Sequence, residues 1–249
     1  MKKLYLDIGN TRTKWLLEEG GEFKRGWVEL GLGNDKDALQ AIASDVCFVA
    51  VSCVKGEEYV RTLSLSVEDV WGVALSVAVT PTSQLGLTCA YDDPSRLGID
   101  RWLVMLVSWH RYKKPICIVD CGSAITIDLI APTGSHMGGY ILPGLRLGVE
   151  GLLRGTDKVV VDFDNLDKAT LTLGQNTTEA VYNGALFSLD ASMNAAMKTL
   201  RRKYKGVDCI LMVTGGDGRL LSELTTLECV YDEDLVLHGL KLYFDTNKS

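Results

Sequence analysis

Short apolar runs separated by polar turns dominate the start of the chain. Residues 3–8 form a strand-like run that stops at a Gly-Asn turn, and further strands are predicted over residues 14–18 and 23–30. Residues 46–52 form a continuous apolar run typical of a buried strand, and residues 38–43 before it predict a short helix. The chain therefore opens as an α/β structure.

Longer apolar segments follow in the middle of the chain. Residues 101–112 predict a helix, which Pro115 ends before a buried strand at residues 116–119. Residues 134–137 lie between a strand and a glycine-rich segment, and we interpret them as a loop.

The last third of the chain predicts a long helix. Small and apolar residues recur at helical spacing over residues 177–204, and Asn176 with Glu179 forms a capping box at its start. A strand at residues 208–213, a glycine turn and a final helix near residues 234–244 complete the pattern.

A strand followed by an aspartate and a glycine turn occurs twice. The two copies read Asp7-Ile8-Gly9-Asn10-Thr11 and Asp120-Cys121-Gly122-Ser123-Ala124-Ile125-Thr126. Their separation is about one domain length, so we predict two similar halves, residues 1–115 and 116–249. Such halves would place the two turns face to face across a cleft.

Composition limits the possible partners. The net charge of -6 leaves no basic surplus for nucleic acid or for an anionic membrane surface. No apolar run reaches the ~18–20 residues of a membrane span, and Asp7 interrupts any signal-peptide region, so we expect a cytoplasmic protein. The 7 cysteines include no C-x-x-C pair and the 3 histidines lack ligand spacing, so we expect reduced thiols and no zinc site.

The first turn has the chemistry of a phosphate site. Gly9 lets backbone N–H groups approach phosphate oxygens, Asn10, Thr11 and Thr13 add donors, and Asp7 can hold Mg²⁺ through water. One such turn can equally be structural, but two facing copies resemble the ATP clamp of actin-like kinases. The chain contains no G-x-x-x-x-G-K-[ST] motif, which excludes a P-loop. The Gly215-Gly216 turn fits either the adenosine side of that fold or a plain turn.

Motifs along most of the chain resemble those of the type III pantothenate kinases in order and approximate spacing. They are the two aspartate turns, Gly98-Ile99-Asp100-Arg101, Gly138-Gly139-Tyr140-Ile141-Leu142-Pro143-Gly144 and Gly174-Gln175-Asn176-Thr177. The resemblance implies an α/β, actin-like (ribonuclease H-like) duplicated two-domain fold with an ATP cleft between the halves. It also implies ATP-dependent phosphorylation of pantothenate to 4'-phosphopantothenate, the first step of coenzyme A synthesis, by a homodimer that needs Mg²⁺ and K⁺ or NH₄⁺.

The resemblance also implies roles for individual residues. Those of the ATP site are Asp7, Ile8, Gly9, Asn10, Thr11, Arg12, Thr13 and Lys14 in the first loop and Gly122 and Ser123 in the second. Those of the pantothenate site are Tyr91, Gly98, Ile99, Asp100, Arg101 and Thr177. Asp100 is the expected catalytic base and Asp120 the expected cation ligand. Ser123 departs from the threonine that we expect more often there, but it keeps the hydroxyl.

Elementary chemistry allows these roles and leaves alternatives open. Asp100 can accept the proton of the nucleophilic hydroxyl, or it can simply cap a helix. Arg101 can neutralise the carboxylate of pantothenate through two parallel hydrogen bonds. Thr177 opens a helix and offers a hydroxyl with unpaired N–H groups, although it could be an ordinary helix start. Tyr91 could be a loop aromatic and Lys14 a surface residue.

Two rival functions remain from the sequence. One is an actin-like kinase or phosphatase acting on another small hydroxylated acid or sugar, and the other is a non-catalytic nucleotide-binding accessory factor for a protein partner. Both Asp100 and Arg101 are present, which argues against the accessory factor. The small-residue face around Gly184 and Ala185 predicts either core packing or a dimer contact.

Overall fold

The structure is a computed structural model. It describes residues 1–10, 12–31, 35–156, 161, 166 and 168–246. Of the predicted site residues, Thr11 lies outside the described residues.

The chain packs as two compact units. The first consists of Met1–Gln84, Tyr91–Val107 and Leu235–Ser249 in its described residues, and the second of Leu85–Ala90 and Ser108–Asp234. These units depart from the halves 1–115 and 116–249, because the last helix packs with the first unit and residues 85–90 pack with the second.

The first unit is built on a five-stranded sheet of order β3-β2-β1-β4-β5. Strands β1 to β3 are antiparallel neighbours, whereas β4 and β5 continue the sheet in parallel. The strands are β1 (Lys2–Ile8), β2 (Thr13–Glu19), β3 (Glu22–Val28), β4 (Val46–Cys53) and β5 (Leu75–Val77). This unit also contains the helices α1 (Asp35–Ile42), α2 (Glu57–Trp71) and α7 (Leu235–Thr246). Helix α3 (Ile99–Tyr112) begins in it.

Strand β1 is buried on both faces. Leu4 and Leu6 pack in a core with Val49 of β4 and Leu63 of α2. Tyr5 is also fully buried, on the opposite face, where helix α7 packs against β1 and β4. The central strand is therefore enclosed by helices on both sides.

The second unit repeats the same sheet. Its strand order is β10-β9-β8-β11-β12, again an antiparallel set of three strands extended by two parallel ones. The strands are β8 (Ile116–Cys121), β9 (Ala124–Ile130), β10 (His136–Pro143), β11 (Ile210–Thr214) and β12 (Val230–Tyr231). The helices are α4 (Leu145–Arg154), α5 (Thr177–Lys203) and α6 (Gly218–Leu224). The internal duplication predicted from the two aspartate turns is thus visible in the topology.

Several elements were not predicted. Helix α2 has a clear local signal, since Glu57 and Glu58 lie in its first turn and Gly72 caps its end in the left-handed conformation (φ 68°). The short strands β6 (Ser83–Gln84) and β7 (Leu87–Thr88) and the 3₁₀ helix Pro94–Arg96 were missed too. The interpretation of residues 134–137 as a loop is wrong for His136 and Met137, which begin β10.

Within the described residues, no helix is both long enough and apolar enough to cross a membrane.

Helix α7 touches α3 at Gly239, and this contact yields a stability prediction. A Cβ at Gly239 would collide with the carbonyl of Leu103, so Gly239→Ala should destabilise the protein by about 1–3 kcal/mol, the usual cost of overpacking. Gly151→Ala in α4 is the matched control, because its Cβ meets nothing and alanine favours a helix by up to about 1 kcal/mol. Denaturant unfolding of both variants should give shifts of opposite sign. Equal shifts would show that the close α3–α7 contact is not rigid.

Candidate active site

The first predicted phosphate loop is the turn between β1 and β2. A hydrogen bond within the turn stabilises it: the Gly9 N–H donates to the Arg12 carbonyl at 3.2 Å. Asn10 and Arg12 are exposed, whereas Thr13 is buried at 2% exposure. The Arg12 guanidinium lies 5.3 Å from the ring centre of Trp27, a cation–π distance. The loop therefore presents an exposed amide and a guanidinium held in place by an aromatic ring.

Asp7 lies at the end of β1 beside two polar neighbours. In the sheet register it pairs with Lys14 of β2 and Ser52 of β4, so the three side chains emerge on one face. Ser52 is fully buried, and its hydroxyl makes no hydrogen bond among the described residues. A carboxylate and a hydroxyl of this kind are oxygen donors suited to Mg²⁺ and its bound water. The local chemistry therefore fits a divalent cation.

The second predicted loop joins β8 to β9. The Gly144 N–H donates to the Ser123 carbonyl at 3.2 Å, and Ser123 itself is exposed. A Cβ on Gly144 would lie 2.6 Å from the Gly122 carbonyl oxygen, closer than real contacts allow. Gly144 must therefore be glycine for the end of β10 to pack against this loop.

A third glycine turn, after β11, lies beside Asp120. Gly215 has φ 88°, and a Cβ there would be 2.5 Å from Oδ1 of Asp120. The Asp217 N–H donates to the Cys121 carbonyl at 3.1 Å. Burial raises the pKa of Asp217, and burial together with the charges of Asp120 and Asp217 raises the pKa of the Cys121 thiol. Both carboxylates therefore lie within electrostatic range of the Cys121 thiol.

The start of α3 carries the predicted catalytic aspartate. Oδ1 of Asp100 accepts the Arg101 N–H at 2.8 Å, and the Trp102 N–H donates to the Gly98 carbonyl at 3.1 Å. A Cβ on Gly98 would come within 2.5 Å of Asp100 Oδ1. The absence of a side chain at Gly98 therefore lets the Asp100 carboxylate fold back over the helix terminus.

Arg101 and Tyr91 form one cluster. Arg101 is 5% exposed, its Nη1 donates to the Tyr91 hydroxyl at 3.1 Å, and its guanidinium lies 5.9 Å from the Tyr91 ring centre. A buried guanidinium is stable only when its donors and charge are satisfied. The structure thus brings into contact two residues that the resemblance assigns to the same site.

Thr177 lies at the edge of a cavity of about 680 Å³ between α4 and α5. Asn176 caps α5 as predicted, by accepting the Glu179 N–H at 2.9 Å. The Glu179 carboxylate accepts the N–H of Gln175, at 2.8 Å, instead of the N–H of Asn176 that a capping box uses. The cavity lining is mostly apolar or small, and it includes Ile125, Gly144, Gly148, Val181, Gly184 and Ser188. Gly144, which contacts the second loop, and Thr177 both line this cavity.

The predicted site residues divide between the two units. The first unit holds the first loop with Lys14, and also Tyr91 and residues 98–101, whereas the second holds Asp120, Gly122, Ser123 and Thr177. Ser52, Gly144 and Gly215 were not proposed as site residues. The signal for Ser52 was available, since it is a polar residue at the end of an apolar strand.

Comparisons with known proteins decide the family. The family model described as type III pantothenate kinase matches residues 3–199. A type III pantothenate kinase of Chromohalobacter salexigens is 37% identical over 97% of this chain and 86% of its own length. Another, from Acinetobacter baumannii, is 34% identical over 98% of this chain and 97% of its own. The chain belongs to the type III pantothenate kinase family. The enzyme class predicted from the motifs is confirmed.

Solved structures show the fold. A Campylobacter jejuni protein, described as a conserved candidate transcriptional activator of the Baf family, matches with a TM-score of 0.63 at 20% identity, covering 98% of each chain. Porphyromonas gingivalis acetate kinase matches with a TM-score of 0.50 at 11% identity, covering 98% of this chain and 99% of its own. A candidate N-acetylmannosamine kinase of Listeria monocytogenes matches with 0.51 at 13%, covering 100% of each chain. At these identities the likeness concerns the fold alone, and it confirms the predicted actin-like architecture.

The close approach at Gly98 predicts a selective loss of activity. In Gly98→Ala the new methyl group would displace the Asp100 carboxylate, which is a movable side chain, so folding should be nearly unaffected. We expect kcat to fall by about 10-fold or more, because a misplaced catalytic group costs that much or more. Steady-state kinetics and thermal unfolding check this, with Gly151→Ala as control. A kcat equal to that of the wild type would show that Asp100 does not act in the position seen here.

Proposed function

We propose that this chain transfers the γ-phosphoryl group of ATP to the primary hydroxyl of pantothenate, forming 4'-phosphopantothenate for coenzyme A synthesis. Family membership supports the reaction. The observation that carries the residue assignment is the cluster at the start of α3, where a half-buried carboxylate adjoins a buried guanidinium and a tyrosine hydroxyl. This cluster matches a substrate that has a hydroxyl to be activated and a carboxylate to be neutralised.

In this proposal Asp100 accepts the proton of the pantothenate hydroxyl as it attacks. Arg101 pairs with the pantothenate carboxylate, and Tyr91 holds the guanidinium in place through its hydroxyl. Since phosphoryl transfer depends mainly on positioning and charge neutralisation, Asp100 orients the hydroxyl as well as deprotonating it.

The nucleotide phosphates would lie against the first loop, and the family resemblance implies that Ser123 also contacts ATP. Backbone N–H groups of the Gly9 turn and the side chains of Asn10 and Lys14 supply donors and positive charge. Asp7 and Ser52 would hold Mg²⁺ and its water, and this ion, when bound, neutralises charge on the phosphates. No group of three metal-binding side chains is preformed among the described residues. Mg²⁺ at a kinase site does not need one, because the phosphates complete its coordination.

A cytoplasmic location fits this function, because ATP is supplied there. None of the described cysteines forms a disulfide, which fits a reducing compartment. We therefore propose that the enzyme acts in the cytoplasm.

The reaction is tested by coupled measurement of ADP release with and without pantothenate. The wild type should release ADP only when pantothenate is present, and Asp100→Asn should lower kcat by about 10²-fold or more while ATP binding stays nearly unchanged. Asp93→Asn is the matched control, since Asp93 caps the 3₁₀ helix and asparagine caps equally well. Turnover of Asp100→Asn near the wild-type rate would contradict the assignment of Asp100 as the base. A rate of ADP release that does not depend on pantothenate would contradict the proposed reaction.

A homodimer is the second part of the proposal. The outer face of α5 exposes small residues around Phe187, which is 61% exposed, and Thr177 begins the same helix. A large exposed aromatic among small residues suits close packing with another helix. The family resemblance implies that the partner subunit closes the pantothenate pocket, and this helix would bring it there.

Phe187→Glu should therefore both separate the subunits and lower the activity. The side chain is mostly exposed, so the chain itself should stay folded, while light scattering reports a monomer and kcat/KM falls by about 10-fold or more. Leu65→Glu on α2, where Leu65 is 62% exposed, is the control for adding charge to an exposed apolar position. A fully active Phe187→Glu monomer would contradict the dimer proposal.

A monovalent cation at Asp120 is the third part. Asp120 and Asp217 both act electrostatically on Cys121, and the Gly215 backbone passes close to Asp120. A K⁺-sized ion held by Asp120 and backbone carbonyls would offset this negative charge.

Turnover with Mg-ATP should then rise several-fold on adding K⁺ or NH₄⁺ but not Na⁺. Asp120→Asn should weaken this response more than it weakens the dependence on Mg²⁺. The measurement compares buffers of matched ionic strength, with choline chloride replacing the potassium salt. Equal turnover in the two buffers would show that Asp120 serves Mg²⁺ or the fold instead.

A further inference from the structure

The segment Leu85–Ala90, here called the strap, is anchored along its length in the second unit. Lys113 donates to the Leu85 carbonyl at 3.1 Å, and the Thr88 N–H donates to the Gly134 carbonyl at 3.0 Å. The strap directly precedes Tyr91 in the chain. Because the strap is anchored, the position of the backbone just before Tyr91 is fixed.

Two glycines let the strap lie close to the turn before β10. Gly86 and Gly134 both have positive φ, 82° and 83°. A Cβ on Gly134 would collide with the Gly86 carbonyl and come within 2.8 Å of the Trp109 ring. This contact leaves no room for the strap to shift toward β10.

The last residue of the strap is held by a buried histidine. The Ala90 N–H donates to Nδ1 of His136 at 3.4 Å, and Nε2 of His136 lies 2.9 Å from Oδ1 of Asp128. The side chains of His136 and Asp128 are 0% and 1% exposed. Because Nδ1 accepts a hydrogen bond, the ring proton is on Nε2 and is donated to Asp128.

This pair is placed by an irregularity in the sheet. Asp128 is opposite Gly139 in the register of β9 and β10, and the register shifts between His136 and Gly139. Such a bulge re-aims a side chain, which here turns His136 toward Asp128 on one side and Ala90 on the other. Burying an imidazole and a carboxylate in an apolar core costs free energy. The pair therefore indicates a role beyond packing.

We propose that His136 is a positioning residue for pantothenate: held by Asp128, it fixes Ala90 and thereby the placement of Tyr91 and its partner Arg101. The inference rests on the proposed role of Tyr91 and Arg101 in the acceptor site. It extends that site by a pair of residues that do not touch the substrate.

Two substitutions of His136 separate its two hydrogen bonds. In His136→Gln the amide nitrogen can still donate to Asp128, but the Ala90 N–H loses its acceptor. In His136→Asn the amide oxygen takes the place of Nδ1 and can accept from Ala90, whereas the hydrogen bond from position 136 to Asp128 is lost. Each variant removes one buried hydrogen bond, so both should lower the melting temperature by similar amounts.

The kinetics should differ between them. His136→Gln should raise the KM for pantothenate about fivefold, the effect of one lost hydrogen bond, with the KM for ATP unchanged. His136→Asn should leave the KM for pantothenate within about twofold of wild type. Equal effects of the two variants, or a parallel rise in both KM values, would overturn the inference.

A double-mutant cycle tests whether His136 acts through Tyr91. In a Tyr91→Ala background, His136→Gln should add less than about twofold to the KM for pantothenate, because the residue it positions is absent. A full fivefold effect in that background would overturn the inference as well.

A third variant keeps the test decisive if the His136 variants do not fold. Asp128→Asn preserves the shape of the pair, but its amide can donate to Nε2 and favour a proton on Nδ1, which can no longer accept from Ala90. The KM for pantothenate should again rise while that for ATP does not, and an unchanged KM would count against the inference. Wild-type turnover with pantothenate in the same assay reports on the proposed function separately. An inactive wild type would overturn both, whereas an active wild type with unaffected variants would overturn the strap inference alone.

Discussion

The central strand of each sheet is buried on both faces and carries an aspartate at or near its end. In β1 the fully buried residues include Leu4, Tyr5 and Leu6, and in β8 the residues before Asp120 are equally enclosed. Burial on both sides fixes the strand rigidly, whereas Asp7 and Asp120 are only partly covered. Each carboxylate is therefore held by the well-packed core of its own unit.

Glycines make the close approaches on which the site depends. Gly215 lets a backbone turn pass beside Asp120, Gly144 lets the end of β10 reach the second loop, and Gly98 leaves room for the Asp100 carboxylate. Each position would bring a Cβ within 2.6 Å of a carbonyl or carboxylate oxygen. The backbone and the carboxylates come this close only because these side chains are missing.

The proposed acceptor site depends on the buried side chain of Arg101. Arg101 is held at the start of α3 by Tyr91, a residue that follows a segment packed in the other unit. The hydrogen bond from Ala90 to His136 connects this arrangement to the buried Asp128. Substrate recognition, as we propose it, therefore relies on polar groups in the core as well as on the exposed loops.

The sequence by itself determined the elements whose causes are local. Alternating apolar runs and glycine turns located the strands that carry Asp7 and Asp120, and the Asn176 and Glu179 capping box located the start of α5. The repeated aspartate turn indicated the duplication, and the motif order indicated the family. Each of these features is a short local pattern, a repeat of one or an order of several, so it can be recognised without a structure.

Only the tertiary structure decided the contacts between distant residues. The contact of His136 with Ala90, 46 residues apart, and the packing of α7 with the first unit involve positions far apart in sequence. His136 was interpreted as a loop residue because nothing nearby marks the bulge that turns it inward. Packing and buried hydrogen bonds between remote segments leave no periodic signal in a single sequence, and the fold alone brings those groups together.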